Sequence, residues 1–330
     1  MKLLLPLLTA AVSAFAQSPA IPINIGYAEP APFQAAPGQV VTLFLDDVPF
    51  GSDGRTRSAQ AAAGDLPTSL AGITVRIELL DSTMLQAGIF AVEQQLQCGL
   101  SGLQAGDAAC LLTLVKIQVP FELPGDLVLN NQNVYTVPRP ALISIDVDGK
   151  RGRGFPLQPL PDNAHVLTNC DAVWDTNGSS VCDRQVYHAD GSMVTPAAPA
   201  KSGETLFLLS YGLGRTDPMV PTGHASPEGV ALSDLLPNHP RVTLGIAMNF
   251  VNALSSAPRT GFNSQADNAI PVPITSASLV AGQVGTYKVS FSVPAPTDSI
   301  IPCGGDVKSN SLLLVTTSQG VEGIGLCLQQ

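Results

Sequence analysis

Four histidines, one serine in a glycine-rich run, two groups of aspartates and six cysteines are the residues here whose types could do chemistry. His165, His188, His224 and His239 lie far apart. No HExxH or comparable spacing links them, so they do not form a metal-ligand set. They read as loop or strand-end histidines. Ser210-Tyr211-Gly212-Leu213-Gly214 superficially resembles a nucleophile elbow. It is not G-x-S-x-G, and it follows a strand with no helix after it. Its glycines read instead as positions that need a positive φ at a loop. Asp146-Val147-Asp148-Gly149 opens like a calcium loop, but the twelfth position is Leu157 and supplies no carboxylate. Asp-Gly is a favoured hairpin turn pair, and that reading is preferred. Asp46, Asp47 and Asp53, with Asp65 nearby, lack calcium-ligand spacing and read as solvated loop charge. The small-residue stretch 99–109 has no phosphate-loop lysine. No catalytic set, metal site or cofactor is expected.

The cysteines Cys98, Cys110, Cys170, Cys182, Cys303 and Cys327 are even in number, which in an exported chain implies disulfides. Sequence proximity favours Cys98–Cys110, Cys170–Cys182 and Cys303–Cys327. No close C-x2-C pair supports zinc. Export itself is read from the first residues. Lys2 is a positive n-region, residues 3–12 are an apolar core, and Ala14-Phe15-Ala16 is a small-x-small cleavage signal. Residues 1–16 are therefore expected to be a signal peptide, with the mature chain starting at Gln17 and secreted or held at the cell surface. The apolar run is shorter than the ~20 residues of a membrane span, and no transmembrane segment is expected.

Those residues must be positioned by elements, and composition restricts which. Hydrophobic residues make up 45% of the chain and charged residues only 13%, which suits packed cores and disfavours disorder. The 28 prolines do not fit long helices and do fit short strands joined by turns. The net charge of −10 excludes nucleic acid as a natural partner. The one basic cluster, Lys150 with RGRG at 151–154, reads as a solvated hairpin tip.

Period-two alternation marks strands at 40–45, 73–79, 112–119, 141–147, 205–209, 242–247, 287–293 and 312–316. Residues 88–96 carry Ile89, Val92 and Leu96, and a strand is preferred there over a helix. The strands also repeat. APGQVVTLFL at 36–45 resembles AKSGETLFLL at 200–209, and LTLVKIQVP at 112–120 resembles TYKVSFSVP at 286–294. In both halves a strand, a Gly-bearing turn and another strand follow. So long a period means duplicated domains, not a solenoid of roughly 20–50-residue repeats. The expectation is an all-β chain of two tandem immunoglobulin-like β-sandwiches, at 17–159 and 160–330, joined near Pro159-Leu160-Pro161. Residues 169–199 read as a polar loop that contains Trp174.

Longer motifs carry a family resemblance. YHADGSMVTPAAPAKSGETLFLLSYGLGRTDPMVPTGHASP at 187–227 resembles an N-Q-D-G-S-x-N…P-A-x-x-G-D…Y-x-T-G-L-G-x-x-x-P…G-x-x-x-P pattern. INIGYAEPAPFQAAPGQVVTLFLDDV at 23–48, LPTSLAGITVRI at 66–77 and IQVPFELPG at 117–125 resemble the same family's earlier blocks. On these motifs the chain resembles the secreted Solibacter-type uncharacterised C-terminal domain family of acidobacteria, whose members look like paired IPT/TIG-like immunoglobulin modules. It departs from the pattern in a polar insert at 51–65 and in its cysteine pairs. The resemblance implies export and sandwich modules, and no reaction.

Three functions compete on these readings. The favoured one is a non-catalytic extracellular adhesion, protein-interaction or structural module, whose partner is an extracellular protein or polysaccharide. The alternative is a carbohydrate-binding module, which needs exposed rings. Aromatics are only 5% of the chain, and Trp174 and Tyr187 are the candidate ligand contacts. An enzyme built from scattered carboxylates is the third, and no carboxylate pair singles itself out.

Overall fold

The structure is a computed structural model. It describes residues 21–25, 33–96, 111–125, 128–129, 135–136, 140–168, 171, 184–233, 235–236, 239–240, 244–249, 269–296, 300–305, 307–317 and 320–329. The chain is all-β, and no helix occurs among the described residues. None is therefore long and apolar enough to cross a membrane.

Alternation in the sequence becomes alternation in burial. Along Val40–Asp46 the residues Leu43 and Leu45 are fully buried while Thr42 and Phe44 are half-buried. Ile73–Glu78 buries Ile73, Val75 and Ile77 and turns Thr74, Arg76 and Glu78 away. A strand with one greasy face must bury it against a second sheet. In the first half, Ile21–Ile25, Val40–Asp46, Leu111–Gln118, Gly88–Leu96 and Ser58–Gln60 are hydrogen-bonded in that order. Facing them are Phe33–Ala35, Phe155–Pro159, Ala141–Val147 and Ile73–Glu78, with short strands at the edge. Residues of both sheets share one core.

The second half repeats this strand for strand. Thr205–Tyr211, Tyr287–Ser292 and Ile274–Leu279 lie side by side, as Val40–Asp46, Leu111–Gln118 and Gly88–Leu96 do. Gly320–Leu326, Ser311–Thr317 and Gly245–Asn249 match Phe155–Pro159, Ala141–Val147 and Ile73–Glu78. The segment that leads into the Val40–Asp46 or Thr205–Tyr211 strand switches sheets in the same way in each half. Phe33–Ala35 runs parallel to Phe155–Pro159 before the Pro37-Gly38 turn carries the chain into the opposite sheet. Ala200 bridges Leu328 in parallel before the Ser202-Gly203 turn does so again. The chain is thus two sandwiches in tandem.

Some sequence expectations shift. The strand expected at 242–247 runs Gly245–Asn249, and residues 241–243 lie outside the described set. The stretch read as a polar loop at 169–199 contains the strand Val186–His188, paired to Thr205–Tyr211. Its polar residues misled because among the described residues of that stretch Val186 is buried in the core and Val194 packs against it, while Tyr187 and His188 are half-buried. The hairpin at Asp148-Gly149 is present, with both residues at positive φ (50° and 77°), as a two-residue turn between twisted strands requires. The linker expected at Pro159-Leu160-Pro161 is packed down. Leu160 is buried, its N–H bonds the Ala35 carbonyl, and its own carbonyl lies against Gly125.

Candidate functional site

Among the described residues, a group of ionisable and aromatic side chains gathers where the two sandwiches meet. Thr205–Tyr211 sends Leu206, Leu208 and Ser210 into the core and leaves Phe207, Leu209 and Tyr211 half-buried on its other face. Tyr187 pairs opposite Phe207 and His165 opposite Tyr211, so these residues share that face. From the first sandwich, Leu111–Gln118 turns Lys116 toward it. The Lys116 Nζ sits 5.7 Å from the ring centres of both Phe90 and Tyr211 and donates to the Asp171 carbonyl oxygen at 3.3 Å. A cation over ring faces is attracted by their quadrupoles.

Asp171 ties this cluster together. Its carboxylate takes the His165 Nε2–H at 2.9 and 3.0 Å, the Thr168 N–H at 2.5 Å and the Thr168 hydroxyl at 3.0 Å. Burial alone would raise its pKa, but the bonds and charge from His165 and Thr168 outweigh burial and hold it below the usual carboxylate value. Burial lowers the Lys116 pKa, and the Asp171 charge opposes that. Tyr211 is pushed up to about 12, first by burial and then by the Asp171 charge. On the far side of His165, Glu322 Oε1 lies 3.9 Å from Nδ1 and 3.3 Å from Arg184 Nη2. Its other oxygen accepts the Val166 N–H at 2.8 Å. Glu322 belongs to the last strand of one sheet and His165 to the first strand of the other, so the network clips two sheet edges together.

Tyr187 stands at the other end of the row. Its ring stacks on Phe207 at 5.2 Å between centroids, 16° apart in plane, and its hydroxyl donates to Gln185. Lys288 Nζ lies 4.0 Å from the Phe207 centroid. Burial raises the Tyr187 phenol. Lys116 joins aromatic area with a cation across the two sandwiches, and Lys288 does so on Phe207 within the second, a chemistry that holds surfaces together or engages a partner.

No protein-family model matches the chain, and no curated protein does. Among solved structures it is similar to the Escherichia coli adhesin FdeC, at 9% identity and a TM-score of 0.19, over 96% of this chain and 67% of that one. It is also similar to pullulanase type I from Bacillus subtilis, crystallised with maltose, at 7% identity and a TM-score of 0.18, over 90% of this chain and 26% of that one. Overlap this low fixes neither a family nor an activity.

The residues singled out by sequence scatter. Ser210 is fully buried, and its hydroxyl donates to the carbonyls of His165 and Tyr211. His188, the last residue of Val186–His188, pairs through Nδ1 with Glu204 at 2.6 Å and stands opposite Leu206, at the other end of the Thr205–Tyr211 strand from Tyr211. His224 Nδ1 pairs with Asp65 at 2.9 Å, joining the two sandwiches. His239 lies in the short strand His239–Pro240, opposite Leu236. Asp146 meets Arg76 and the Gly152 N–H, and Asp148 meets Arg57. Asp46 and Asp53 accept the backbone N–H groups of Asp47 and Arg55. Among the described residues no three or more His, Cys, Asp and Glu side chains gather as a metal site would. Cys303 and Cys327 are bonded. Cys98, Cys110, Cys170, Cys182 and Trp174 lie outside the described residues.

Sequence reasoning missed Lys116, Tyr211 and Asp171. One signal was available for the first. Lys116 interrupts the apolar run LLTLVKIQV on a strand that is otherwise nearly all buried, and a lone cation there needs a partner.

Proposed function

We propose that the chain is an exported, non-catalytic protein whose paired sandwiches form an extracellular adhesion or protein-contact module. The observation that carries this reading is the fate of its reactive groups. Ser210 is spent on backbone carbonyls, His165 on Asp171, and Asp171 on His165 and Thr168. These side chains hold strand edges and a module seam in place. The reading is also supported by the signal-like start, by the family resemblance of residues 187–227, and by the capacity of sandwiches to present end loops and open strand edges to partners. A polysaccharide is the second class of ligand, favoured by the ring of Tyr187 beside Phe207 and Lys288.

The test uses the purified chain 17–330. It is assayed for binding to immobilised extracellular proteins and to a glycan array, with Tyr187→Ala as control, and for turnover on ester, peptide and glycoside substrates. Saturable binding to a protein without turnover is the expected result. Glycan binding lost in Tyr187→Ala would move the assignment to the second class. Turnover that follows the protein through purification and is lost on mutation of His165 would overturn it. Export is checked separately by mass spectrometry, which should find Gln17 at the N-terminus of the secreted product.

A further inference from the structure

The joint between the sandwiches is built as tightly as a core. After Leu111–Gln118 the chain runs through Val119-Pro120-Phe121-Glu122-Leu123. Phe121 is fully buried, and it belongs to the hydrophobic cluster of the second sandwich. Its ring lies over Gly38, where any Cβ would collide with it. Its N–H donates to the Thr222 hydroxyl at 3.0 Å, and that hydroxyl donates in turn to Glu122.

Further hydrogen bonds cross the joint. The Gly223 N–H donates to Gln118 Oε1 at 2.6 Å, and the Leu66 N–H donates to the Gly223 carbonyl at 2.7 Å. Ala225 N–H donates to Asp65, whose other oxygen holds His224. Glycines allow the close approach. A Cβ on Gly285 would lie 2.8 Å from both the Gly38 carbonyl and Val40. One on Gly88 would lie 3.1 Å from Gly223. Gly223 and Gly285 have φ of 82° and 67°, which L side chains rarely adopt.

We infer that the two sandwiches form one obligatory body in which the first supplies Phe121 to complete the core of the second, so that the joint opens only when the protein unfolds. The two modules then meet any partner at a fixed angle. This inference stands on packing alone and does not depend on the adhesion reading.

Amide hydrogen exchange on the intact chain tests it. The N–H groups of Leu66, Phe121 and Gly223 are expected to exchange as slowly as the core amides of Leu206 and Leu208, since all would open in the same event. Joint amides that exchange a hundredfold or more faster than those core amides would overturn it. Phe121→Ala is expected to lower the melting temperature by about 10 °C, as removal of a fully buried ring from a domain of this size should. A shift under about 2 °C would count against the inference, because a ring on a loosely docked surface costs little. Where Phe121→Ala does not fold, Thr222→Val keeps the shape and removes the acceptor of the Phe121 N–H. It is expected to speed exchange at Phe121 and Leu206 together, about tenfold, because both open in the one unfolding event, and faster exchange at Phe121 alone would overturn the inference. Equal exchange in that variant and the parent would overturn the role given to Thr222 and Phe121.

Discussion

Phe121 and Leu123 stand two residues apart and lie in different hydrophobic cores. Leu123 is fully buried in the first sandwich and Phe121 in the second. A strand would put them on one face. The Pro120 turn, closed by the Leu123 N–H to the Pro120 carbonyl at 3.1 Å, sends them to separate cores instead. Leu123→Ala should therefore destabilise the first sandwich by roughly 2–5 kcal/mol. Urea unfolding should show that loss in a single transition, with exchange in residues 40–48 and 205–211 rising together.

Arg57 anchors the polar insert of the first sandwich. Its side chain is only 4% exposed. It makes a two-pronged pair with Asp148 at 2.6 and 3.0 Å and donates to the carbonyls of Pro49, Phe50 and Ala71. Arg57→Lys should lose most of this, because a point ammonium cannot span five acceptors set for a planar fork. The expected loss is about 3 kcal/mol, read by denaturant unfolding. Asp148→Asn should cost much less, since that carboxylate is 47% exposed and water screens it.

The His188–Glu204 pair should make stability depend on pH in a limited window. The bond to Glu204 raises the His188 pKa above 6.5, with burial opposing. Its contribution is complete below about 6.5 and is lost as pH rises through the raised value. Burial would raise the Glu204 pKa above 4.5, but the His188 bond and the Lys201 N–H overcome it and lower it. That contribution is complete above about 4.5 and is lost as pH falls through the lowered value. The pair therefore stabilises most between pH of about 4.5 and 6.5. Melting temperatures of the parent and Glu204→Gln across pH 4 to 8 should diverge most inside that window.

Much of the fold was legible because each sandwich face is one-sided. VVTLFL at 40–45 and ITVRIE at 73–78 alternate cleanly, and the duplicated blocks fell on matching strands. The seam was not legible. Phe121 and Thr222 lie 101 residues apart and meet through a backbone bond, so nothing in V-P-F marks the ring as belonging to another core. Arg57 sat in a stretch rich in Gly and Ala, where polarity suggests solvent. Its five acceptors come from three loops that only the fold brings together. Asp171 carries no motif of its own, and its role depends on His165 and Lys116 arriving from other strands.

Gly212 is buried and should resist substitution. Its φ is 74°, and a Cβ there would run into the Asn163 carbonyl, which is backbone and cannot swing aside as a flexible side chain can. The Asn163 N–H also bonds the Gly212 carbonyl at 2.8 Å, so the clash cannot be relieved without breaking that bond. Gly212→Ala should cost more than about 1 kcal/mol, and Gly203→Ala less, since that turn has open space around its Cβ. Thermal melts of the two variants side by side test this ordering.

Cys303–Cys327 closes a loop across a sequence separation of 24 residues. It secures the end of Gly320–Leu326, where Ala200 and Asn310 already bond the backbone of Cys327 and Leu328. In the chain-entropy account a loop of that length is worth about 3 kcal/mol. The Cys303→Ser, Cys327→Ser double variant should lose that amount in denaturant titration. Its strand Gly320–Leu326 should also lose hydrogen-exchange protection before Thr205–Tyr211 does, because the bond acts on the edge strand alone.

Tyr211 offers a direct optical check of the seam. Five tyrosines are present, and burial under Lys116 and Asp171 pushes this phenol up to about 12. Absorbance titration should therefore show a step near that value, provided the fold survives, and its amplitude should fall by one tyrosine in Tyr211→Phe. Lys116→Met removes the cation above the ring and the donor to the Asp171 carbonyl, but not the burial that dominates the shift. The late step should then persist or move still higher, because a nearby positive charge favours the phenolate. A Tyr211 phenol that titrates near 10 in the folded parent would mean that water reaches the ring freely, and the contact of Lys116 with Tyr211 and Asp171 would lose its role as a buried link between the two sandwiches.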